Sequence, residues 1–279
     1  MQTLNRFDLQ EIKANIENGI EEWSINKYPL EQRNHLGISE IGDVCARRLW
    51  YKFRWADIQY FDGRMRRLFA RGHREEEKYI GYLEGIGCTV YRFDQNGKQF
   101  RVSGVMGHYG GSCDGVIITP WYAGFPFIGE FKTHNTKSFT NYVKEGVKKA
   151  KPQHWAQMCG YGEKNNITHA IYFPENKNDD DIKVEVLELD FNYARQMEKK
   201  AEEIITSPNP PERISDNPAY RECQWCFLLD VCHKNKIPLK SCRSCKNSMP
   251  TQDATWTCSK FGQIPPDFIS RACDGWIPI

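Results

Sequence analysis

Acidic and basic side chains at strand spacing are the first residues of this sequence that could do chemistry. Glu130 and Lys132 stand two apart in PFIGEFKT, so on a β-strand both project from the same face. Asp114 comes earlier, in GSCDGVI, on a segment that could lie beside them. Two carboxylates bind a hard divalent cation, and a neighbouring ammonium stabilises charge developing on a phosphate or holds an attacking water. The alternative interpretation is an ordinary Asp-Gly turn and an exposed Glu–Lys pair.

A third acidic side chain falls in the segment 64–85, whose periodicity predicts one long helix. At about 100° per residue, Glu76 lies near the centre of an otherwise apolar stripe. The stripe consists of Phe69, Gly72, Tyr79, Ile80 and Leu83. A carboxylate on an inward face is costly unless it is paired or binds a metal. Glu76 is therefore the expected third ligand, His73 is the alternative ligand, and a salt bridge from Glu76 to a buried arginine is the competing interpretation.

Two polar side chains of a later helical segment also face one way. Gln157 and Tyr161 stand four apart in QHWAQMCGYGEK, which is one helical turn. They could position a water molecule or grip a phosphate, although ordinary helix residues have the same spacing.

The C-terminal segment, residues 239–279, carries four of the eleven cysteines with the spacing C-x2-C-x12-C-x14-C. They are Cys242, Cys245, Cys258 and Cys273. Four thiolates complete a tetrahedral zinc site, and so short a segment cannot build a core of its own. The spacing predicts a structural zinc ion, with unliganded thiols as the alternative.

A second group of cysteines has the spacing C-x2-C-x5-C and consists of Cys223, Cys226 and Cys232. It is one thiolate short of a complete site, and Cys45 is the natural fourth ligand. Thiolates select zinc or an iron–sulfur cluster, and the spacing alone leaves both open. A metal ion or cluster on these four residues would join positions 178 apart and so stabilise the fold by closing a long loop.

Basic charge is concentrated in one stretch, although the net charge is only +2. Residues 47–74 carry nine basic and two acidic side chains, interleaved with aromatic ones. This pattern is typical of a surface that binds a polyanion such as nucleic acid, and a solvated helix face is the alternative. The basic residues assigned to this surface are Arg47, Arg48, Arg54, Arg67 and Arg71, with Lys137 from a later segment.

Composition excludes two classes of protein. Because 40 % of the 279 residues are hydrophobic and 27 % are charged, the chain can bury a core and is not disordered. It has no apolar run of the roughly 20 residues that a membrane span takes. Residues 1–23 are amphipathic and acidic, unlike a signal peptide. The sequence therefore predicts a cytoplasmic protein.

Alternating helices and strands must position these residues. Helices are predicted over 7–24, from a cap at Ser39 to about Phe53, over 64–85, after Pro152 and over 191–206. Strands are predicted in CTVYRF, KQFRVSG, GSCDGVIIT, PFIGEFKT, THAIYF and IKVEVLELD. One face of the first helix carries Ile12, Ile16, Ile20 and Trp23. The predicted fold class is α/β, with a mixed central sheet flanked by helices.

Taken together, the motifs resemble the RecB-like branch of the PD-(D/E)XK nuclease superfamily, specifically its iron–sulfur members. These include the CRISPR-associated RecB-like nuclease and the AddB nuclease domain. The likeness runs in order from about Cys45 to Cys232. Its motifs are a G-x-x-x-(H/E) helix at Gly72 to Glu76, a G-x-x-D strand at Asp114, E-x-K at Glu130 to Lys132, and a Q-x-x-x-Y helix at Gln157 to Tyr161. The chain departs from the family at Cys113, where the superfamily has proline, and at His73, three residues before the usual histidine position.

The resemblance implies a restriction-endonuclease-like core over residues 1–238, with 1–38 as an N-terminal helical segment, followed by the zinc-binding tail 239–279. It implies a 4Fe–4S cluster on Cys45, Cys223, Cys226 and Cys232. It further implies Mg²⁺ or Mn²⁺, one or two ions, on Asp114, Glu130, the Phe131 carbonyl and either Glu76 or His73. Lys132, Gln157 and Tyr161 would then assist hydrolysis of a DNA phosphodiester.

Stand-alone phage recombination exonucleases show a similar stretch around residues 133–162, which favours a phage or prophage origin in a bacterial host cell. An exonuclease on DNA ends or single strands is therefore expected rather than an endonuclease, acting in recombination, repair or replication. A helicase, annealing or single-strand-binding protein would be a separate chain, because no G-x4-G-K-(S/T) loop is present. The alternative is a catalytically inactive DNA-binding recombination partner with two structural zinc sites.

Overall fold

Helices and strands alternate along the chain in the computed structural model, which describes residues 6–30, 32–93 and 96–279. The α-helices of the described residues are α1 (Arg6–Lys27), α2 (Ala46–Phe53), α3 (Gly63–Gly85), α4 (Thr136–Ala150), α5 (Pro152–Asn165), α6 (Phe191–Thr206) and α7 (Leu229–His233). The strands are β1 (Leu36–Gly37), β2 (Thr89–Tyr91), β3 (Arg101–Gly104), β4 (Tyr109–Ser112), β5 (Gly115–Ile118), β6 (Pro126–His134), β7 (His169–Asn176), β8 (Glu185–Glu188), β9 (Ser248–Pro250), β10 (Trp256–Cys258) and β11 (Gly262–Ile264).

The central sheet has five strands in the order β2-β5-β6-β7-β8. Strands β6 and β7 are parallel and the other neighbours are antiparallel, so the sheet is mixed as predicted. Because side chains alternate along a strand, Phe131 and Phe173 pack with Tyr79 of α3 on one face. Ile128 and Tyr172 pack on the other face, in the same core as Trp155 of α5. The predicted mixed α/β fold is confirmed.

A second, three-stranded sheet has the order β1-β4-β3. The chain passes from β4 in this sheet to β5 in the central sheet through Cys113 and Asp114. The single strand predicted for GSCDGVIIT is therefore wrong: it is two strands, because the pairing partner changes at this point. The change places Asp114 at the end of β5, outside the regular ladder.

Helix α2 begins later than the cap predicted at Ser39. Residues Ile38–Glu40 form one short 3₁₀ turn, and Cys45 is the N-cap of α2. The Cys45 sulfur accepts a hydrogen bond from the Arg48 backbone N–H at 3.3 Å. The cap was predicted at Ser39 because a hydroxyl is the usual acceptor at this position. In the structure the Cys45 sulfur accepts the bond instead, so the predicted cap is wrong.

Helix α1 was predicted correctly, but its apolar stripe is exposed. Ile12, Ile16, Ile20 and Trp23 are each 43–57 % exposed. The helix packs on α3 largely through polar contacts, such as Ser24, which accepts a bond from Arg67 at 2.8 Å.

The C-terminal tail does not form a separate core within the described residues. Strands β9, β10 and β11 make a small antiparallel sheet, and Trp256 of β10 is buried in the main core beside Phe53. His108 contacts the carbonyls of Thr251 and Thr255 at 3.0 Å each. The tail is thus held by apolar and polar contacts to the α/β core.

None of the helices that the structure describes has the length and apolarity that crossing a membrane requires.

Candidate active site

Asp114 and the strand β6 meet where the regular pairing of β5 with β6 ends. The last paired residues are Gly115 and Gly129, so the Phe131 N–H has no ladder partner on β5. The Asp114 carboxylate accepts that N–H at 2.8 Å. This bond satisfies a backbone donor and fixes the Asp114 side chain beside the strand that carries Glu130 and Lys132.

Lys132 lies between the two carboxylates. Its ammonium is 3.6 Å from Asp114 Oδ2 and in contact with Glu130 Oε1. Glu130 is fully buried, and the Lys132 side chain is 27 % exposed. The three charged groups that sequence spacing singled out therefore form one cluster.

Gln157 of α5 closes the buried side of this cluster. Its amide donates to Glu130 Oε2 at 2.9 Å, and Gln157 is only 6 % exposed. Tyr161, one turn later, packs its hydroxyl against Gly111, where a Cβ would lie 2.6 Å from that oxygen. Gly111 therefore leaves the space that Tyr161 needs. Gln157 holds a carboxylate rather than standing as an ordinary exposed helix residue.

Glu76 reaches the cluster from α3 and also contacts two basic side chains. Its oxygens are 3.4 Å from His73 Nδ1 and 3.9 Å from an Arg92 nitrogen. Its side chain is 22 % exposed, whereas that of His73 is 80 % exposed. The competing interpretation, a pairing of Glu76 with arginine, is thus present in the structure together with its approach to the other carboxylates.

The pKa values of these groups reflect both their burial and one another's charges. Burial raises the pKa of Glu76, Asp114 raises it further, and His73, Lys132 and Arg92 oppose the rise. Burial likewise raises the pKa of Glu130 to about 8, against the Lys132 ammonium. Crowded carboxylates of this kind favour a nearby cation.

Lys132 shows the opposite balance. Burial lowers the pKa of Lys132, but Asp114 and Glu130 outweigh it, and the net shift is upward. The side chain is therefore held as an ammonium ion at neutral pH.

The fit of a metal ion rests on donor chemistry. Among residues 6–30, 32–93 and 96–279, no three His, Cys, Asp or Glu side chains are placed as a metal site. Glu130 Oε1, however, is buried, and within the part of the chain that the structure describes it accepts no hydrogen bond of normal geometry, although it forms an ion pair with the Lys132 ammonium. Three carboxylates with crowded charge are the donors that a hard divalent cation prefers. A cation bound between Asp114 and Glu130 would take over the oxygens that Lys132 now contacts.

A groove of about 760 Å³ leads to the cluster, and both Glu76 and Lys132 line it. Its other walls combine cations and aromatic rings. These include Arg33, His35, Lys52, Trp55, Phe61, Phe69 and Lys177. Cations that contact phosphates and rings that stack on bases are the usual lining of a single-strand-binding groove.

The basic residues predicted to bind a polyanion have different environments. Arg54 is 1 % exposed, so its assignment to a binding surface is wrong. Arg48 forms two bonds to Asp43, at 2.6 and 2.5 Å, and Arg47 donates to the Pro211 carbonyl at 2.7 Å. A charge count along the sequence cannot tell which arginines hold the fold together.

Arg67, Arg71 and Lys137 remain accessible to a ligand. Arg67 and Arg71 are 39 % and 38 % exposed while paired with Glu21 and Glu75, respectively. Lys137 is exposed in the first turn of α4.

The first cysteine group comes together from the two ends of the core. Burial raises the pKa of Cys223, and Cys45, Cys232 and Cys226 raise it further. Arg48 is tied to the same region, because it donates to the Glu222 carbonyl at 3.4 Å. All eleven thiols are free, so no disulfide competes for these sulfurs.

The second cysteine group lies in the tail. Burial raises the pKa of Cys242, and Cys273, Cys245 and Cys258 raise it further. All four line one cavity of about 400 Å³. The donor chemistry of both groups fits a soft metal or an iron–sulfur cluster.

Some residues around the site were not found from sequence. Arg92 contacts Glu76 from the end of β2, and Tyr172 pairs with Glu130 in the β6–β7 register. His134 and His154 both contact the Tyr172 hydroxyl, at 2.7 and 2.9 Å. The only sequence signal was the position of His134, two residues after Lys132 on the same strand face.

The sequence matches no protein-family model and none of the curated proteins compared with it. Among solved structures, SSO0001 is similar at 14 % identity and a TM-score of 0.45, over 78 % of this chain and 96 % of that one. An alkaline exonuclease, LHK-Exo from Laribacter hongkongensis, is similar at 16 % identity and a TM-score of 0.45, over 66 % of this chain and 89 % of that one. The structure of LHK-Exo in complex with dAMP is similar at 13 % identity and a TM-score of 0.43, again over 66 % of this chain and 89 % of that one. Likenesses of this size do not identify an activity.

Proposed function

We propose that this chain is a deoxyribonuclease that depends on Mg²⁺ or Mn²⁺. The observation that supports the proposal is the meeting of Asp114, Glu130, Glu76 and Lys132 at a groove lined by cations and aromatic rings. Carboxylates beside an ammonium suit hydrolysis of a phosphodiester, whose transition state gains negative charge. The order of motifs, which resembles the RecB-like nucleases, favours DNA as the substrate and an exonuclease over an endonuclease.

Each residue has a defined task in this proposal. Asp114, Glu130 and Glu76 would hold the cation, which supplies a bound water of lowered pKa and neutralises the phosphate oxygens. Lys132, held as an ammonium, orients the attacking water or stabilises the charge on the phosphate. Gln157 fixes the Glu130 carboxylate by its hydrogen bond at 2.9 Å, and Tyr161 packs its hydroxyl against Gly111 of β4.

The two cysteine groups are proposed to be structural. We infer a 4Fe–4S cluster on Cys45, Cys223, Cys226 and Cys232 and a zinc ion on Cys242, Cys245, Cys258 and Cys273. Each group brings four thiols within electrostatic reach of one another. Neither is assigned a role in electron transfer.

A cleavage assay tests the proposed activity. Wild-type protein, Asp114→Asn and Lys132→Met are incubated with labelled single-stranded and duplex DNA in Mg²⁺ or Mn²⁺. We expect wild type to cleave and both variants to lose at least about 100-fold in rate. The matched controls are Asp216→Asn and Lys149→Met, whose side chains are 94 % and 76 % exposed, and they should cleave like wild type.

Two outcomes would contradict the proposal. Wild type that binds DNA without cleaving any form of it would favour the inactive DNA-binding alternative. Full activity in Asp114→Asn and Lys132→Met would show that cleavage occurs elsewhere.

A further inference from the structure

Trp55 occupies a backbone position that is normally reserved for glycine. The Trp55 N–H donates to the Lys52 carbonyl at 3.1 Å, and the Ala56 N–H donates to the Tyr51 carbonyl at 2.9 Å. These two bonds form a Schellman motif that ends α2, with Trp55 at the left-handed position and a φ of 52°. A bulky residue there costs roughly 1 kcal/mol more than glycine. Backbone strain of this kind is kept where the side chain has a task.

The Trp55 side chain is held on the wall of the groove. It lines the groove together with Arg33, Lys52 and Lys132. Its indole Nε1 donates to the Arg33 carbonyl at 2.9 Å. The ring therefore has a fixed orientation in the same groove that leads to the acidic cluster.

Arg243, from the tail, packs over the same ring. Its guanidinium carbon is 4.4 Å from the Trp55 ring centre and 4.7 Å from that of Trp256. Arg54 continues the stack, at 5.2 Å from Trp256 and 5.6 Å from Trp50. Rings and guanidinium groups thus alternate in one ladder from the core to the groove wall.

The arginines of this ladder have no carboxylate partner among the described residues. Arg243 is 1 % exposed and donates to the carbonyls of Asn34, at 3.1 Å, and Phe53. Arg54 donates to the carbonyls of Cys245 and Ser248 at 2.8 and 2.9 Å. Burial lowers the pKa of both. Burying two cations this way is costly, and the rings and carbonyls recover that cost only while the tail is in place.

We propose that Trp55 is a stacking platform for a nucleobase in the groove and that Arg243 positions it. The tail would then form part of the nucleic-acid-binding site, because Arg243 of the tail holds Trp55 on one wall of the groove. This inference rests on the proposed function for its ligand, a single-stranded nucleic acid. It goes beyond that function by assigning a role to the tail.

The test separates binding from cleavage. Affinity for a labelled single-stranded oligonucleotide is measured in the Asp114→Asn background, so that cleavage does not interfere. Trp55→Gly, which keeps the left-handed backbone, should weaken binding about tenfold. Trp55→Phe should restore most of it. Trp121→Ala removes an exposed indole outside the groove and should bind like the parent protein.

Arg243 is tested through Trp55. Arg243→Lys keeps the charge but loses the planar stacking surface, and it should raise KM for the oligonucleotide with little change in kcat. The double variant with Trp55→Gly should bind no worse than Trp55→Gly alone, because both act on the same ring. A loss of thermal stability without a change in KM would reduce Arg243 to a structural role and overturn the inference.

The Trp55 variants decide the matter even if Arg243→Lys fails to fold. Equal affinity of Trp55→Gly and wild type would overturn the inference while leaving the proposed nuclease intact. Absence of any oligonucleotide binding by wild type would contradict both.

Discussion

At the scale of single residues, the site is built around a carboxylate that is hard to bury. Glu130 is fully buried, with Gln157 on one oxygen and Lys132 on the other. Burial raises the pKa of this carboxyl to about 8, so its ionised form depends on both partners remaining in place. The arrangement explains why Gln157, a neutral residue, matters as much as the charged ones.

Replacing Gln157 by leucine should therefore destabilise the protein. Loss of the amide leaves Glu130 Oε2 buried without a donor, at a cost of about 1–3 kcal/mol. We expect a corresponding fall in the free energy of unfolding, measured by urea denaturation. Gln153→Leu, on the exposed side of the same helix, is the control and should cost less. Equal losses in the two variants would argue against the special role of Gln157.

A second prediction concerns how the stability of the protein depends on pH through His134 and His154, which lie behind the site. Burial lowers the pKa of His154 to about 3 and that of His134 to about 4, and nearby lysines lower both further. Because the folded values lie below the ordinary 6.5, each histidine contributes stability that is present above pH 6.5 and is lost as pH falls through the folded value. Between pH 7 and pH 4, His154 should account for up to about 3 kcal/mol.

Urea denaturation at several pH values measures this effect. His154→Gln, which keeps a hydrogen-bonding group toward Tyr172, should lose less stability than wild type across that range. Parallel curves for the two proteins would show that His154 does not titrate as expected.

Sequence spacing found the charged pair but not the residues that support it. Glu130 and Lys132 follow from a strand's period of two, and Asp114 from its motif. Arg92 and Tyr172 reach the site through contacts between distant segments, which no local pattern encodes. Arg54 was assigned wrongly for the same reason, since burial depends on a tail nearly 200 positions away.

At the level of helices and strands, the predicted bounds were most accurate where the sequence carries capping or helix-breaking residues. Helices α3, α5 and α6 have clear apolar periodicity and end signals, and their predicted bounds agree with the structure to within a few residues. Helix α4 was not predicted, although Phe139, Tyr142 and Val147 are buried at helical spacing, and Gly146 interrupts the helix near its end with a φ of 73°. The break between β4 and β5 was missed because strand pattern does not reveal a change of partner.

Helix α6 offers a test of one such end signal. Asp190 caps it by accepting the Tyr193 N–H at 2.9 Å. Asp190→Ala should lower the free energy of unfolding by about 1 kcal/mol. Asp216→Ala, at an exposed position away from a helix start, should leave it unchanged. If both variants are as stable as wild type, the cap contributes nothing.

At the scale of the whole molecule, the first cysteine group and the packing of the tail each bring together segments that are far apart in sequence. The thiols of Cys45 and Cys223, 178 positions apart, interact electrostatically, and the tail packs Trp256 beside Phe53. Cross-links of this length restrict the unfolded chain and so stabilise the folded one. We propose that the cluster on the first cysteine group holds the core closed and that the zinc ion on the second holds the groove wall in place.

Cys226→Ser tests the first of these groups. We expect the freshly purified variant to lose its colour and iron and to melt at a lower temperature than wild type. Cys88→Ala, a buried cysteine outside both groups, controls for the loss of a thiol and should keep its iron. Unchanged iron content and melting temperature in Cys226→Ser would contradict the cluster.

Anomalous diffraction from crystals soaked in Mn²⁺ tests directly whether the acidic cluster binds a cation. We expect a manganese peak bound by Asp114 and Glu130, with Glu76 at the same centre and Lys132 displaced from between the two carboxylates. If a saturating soak leaves these carboxylates without manganese and Lys132 still paired with both, the assignment of a cation-dependent active site is contradicted.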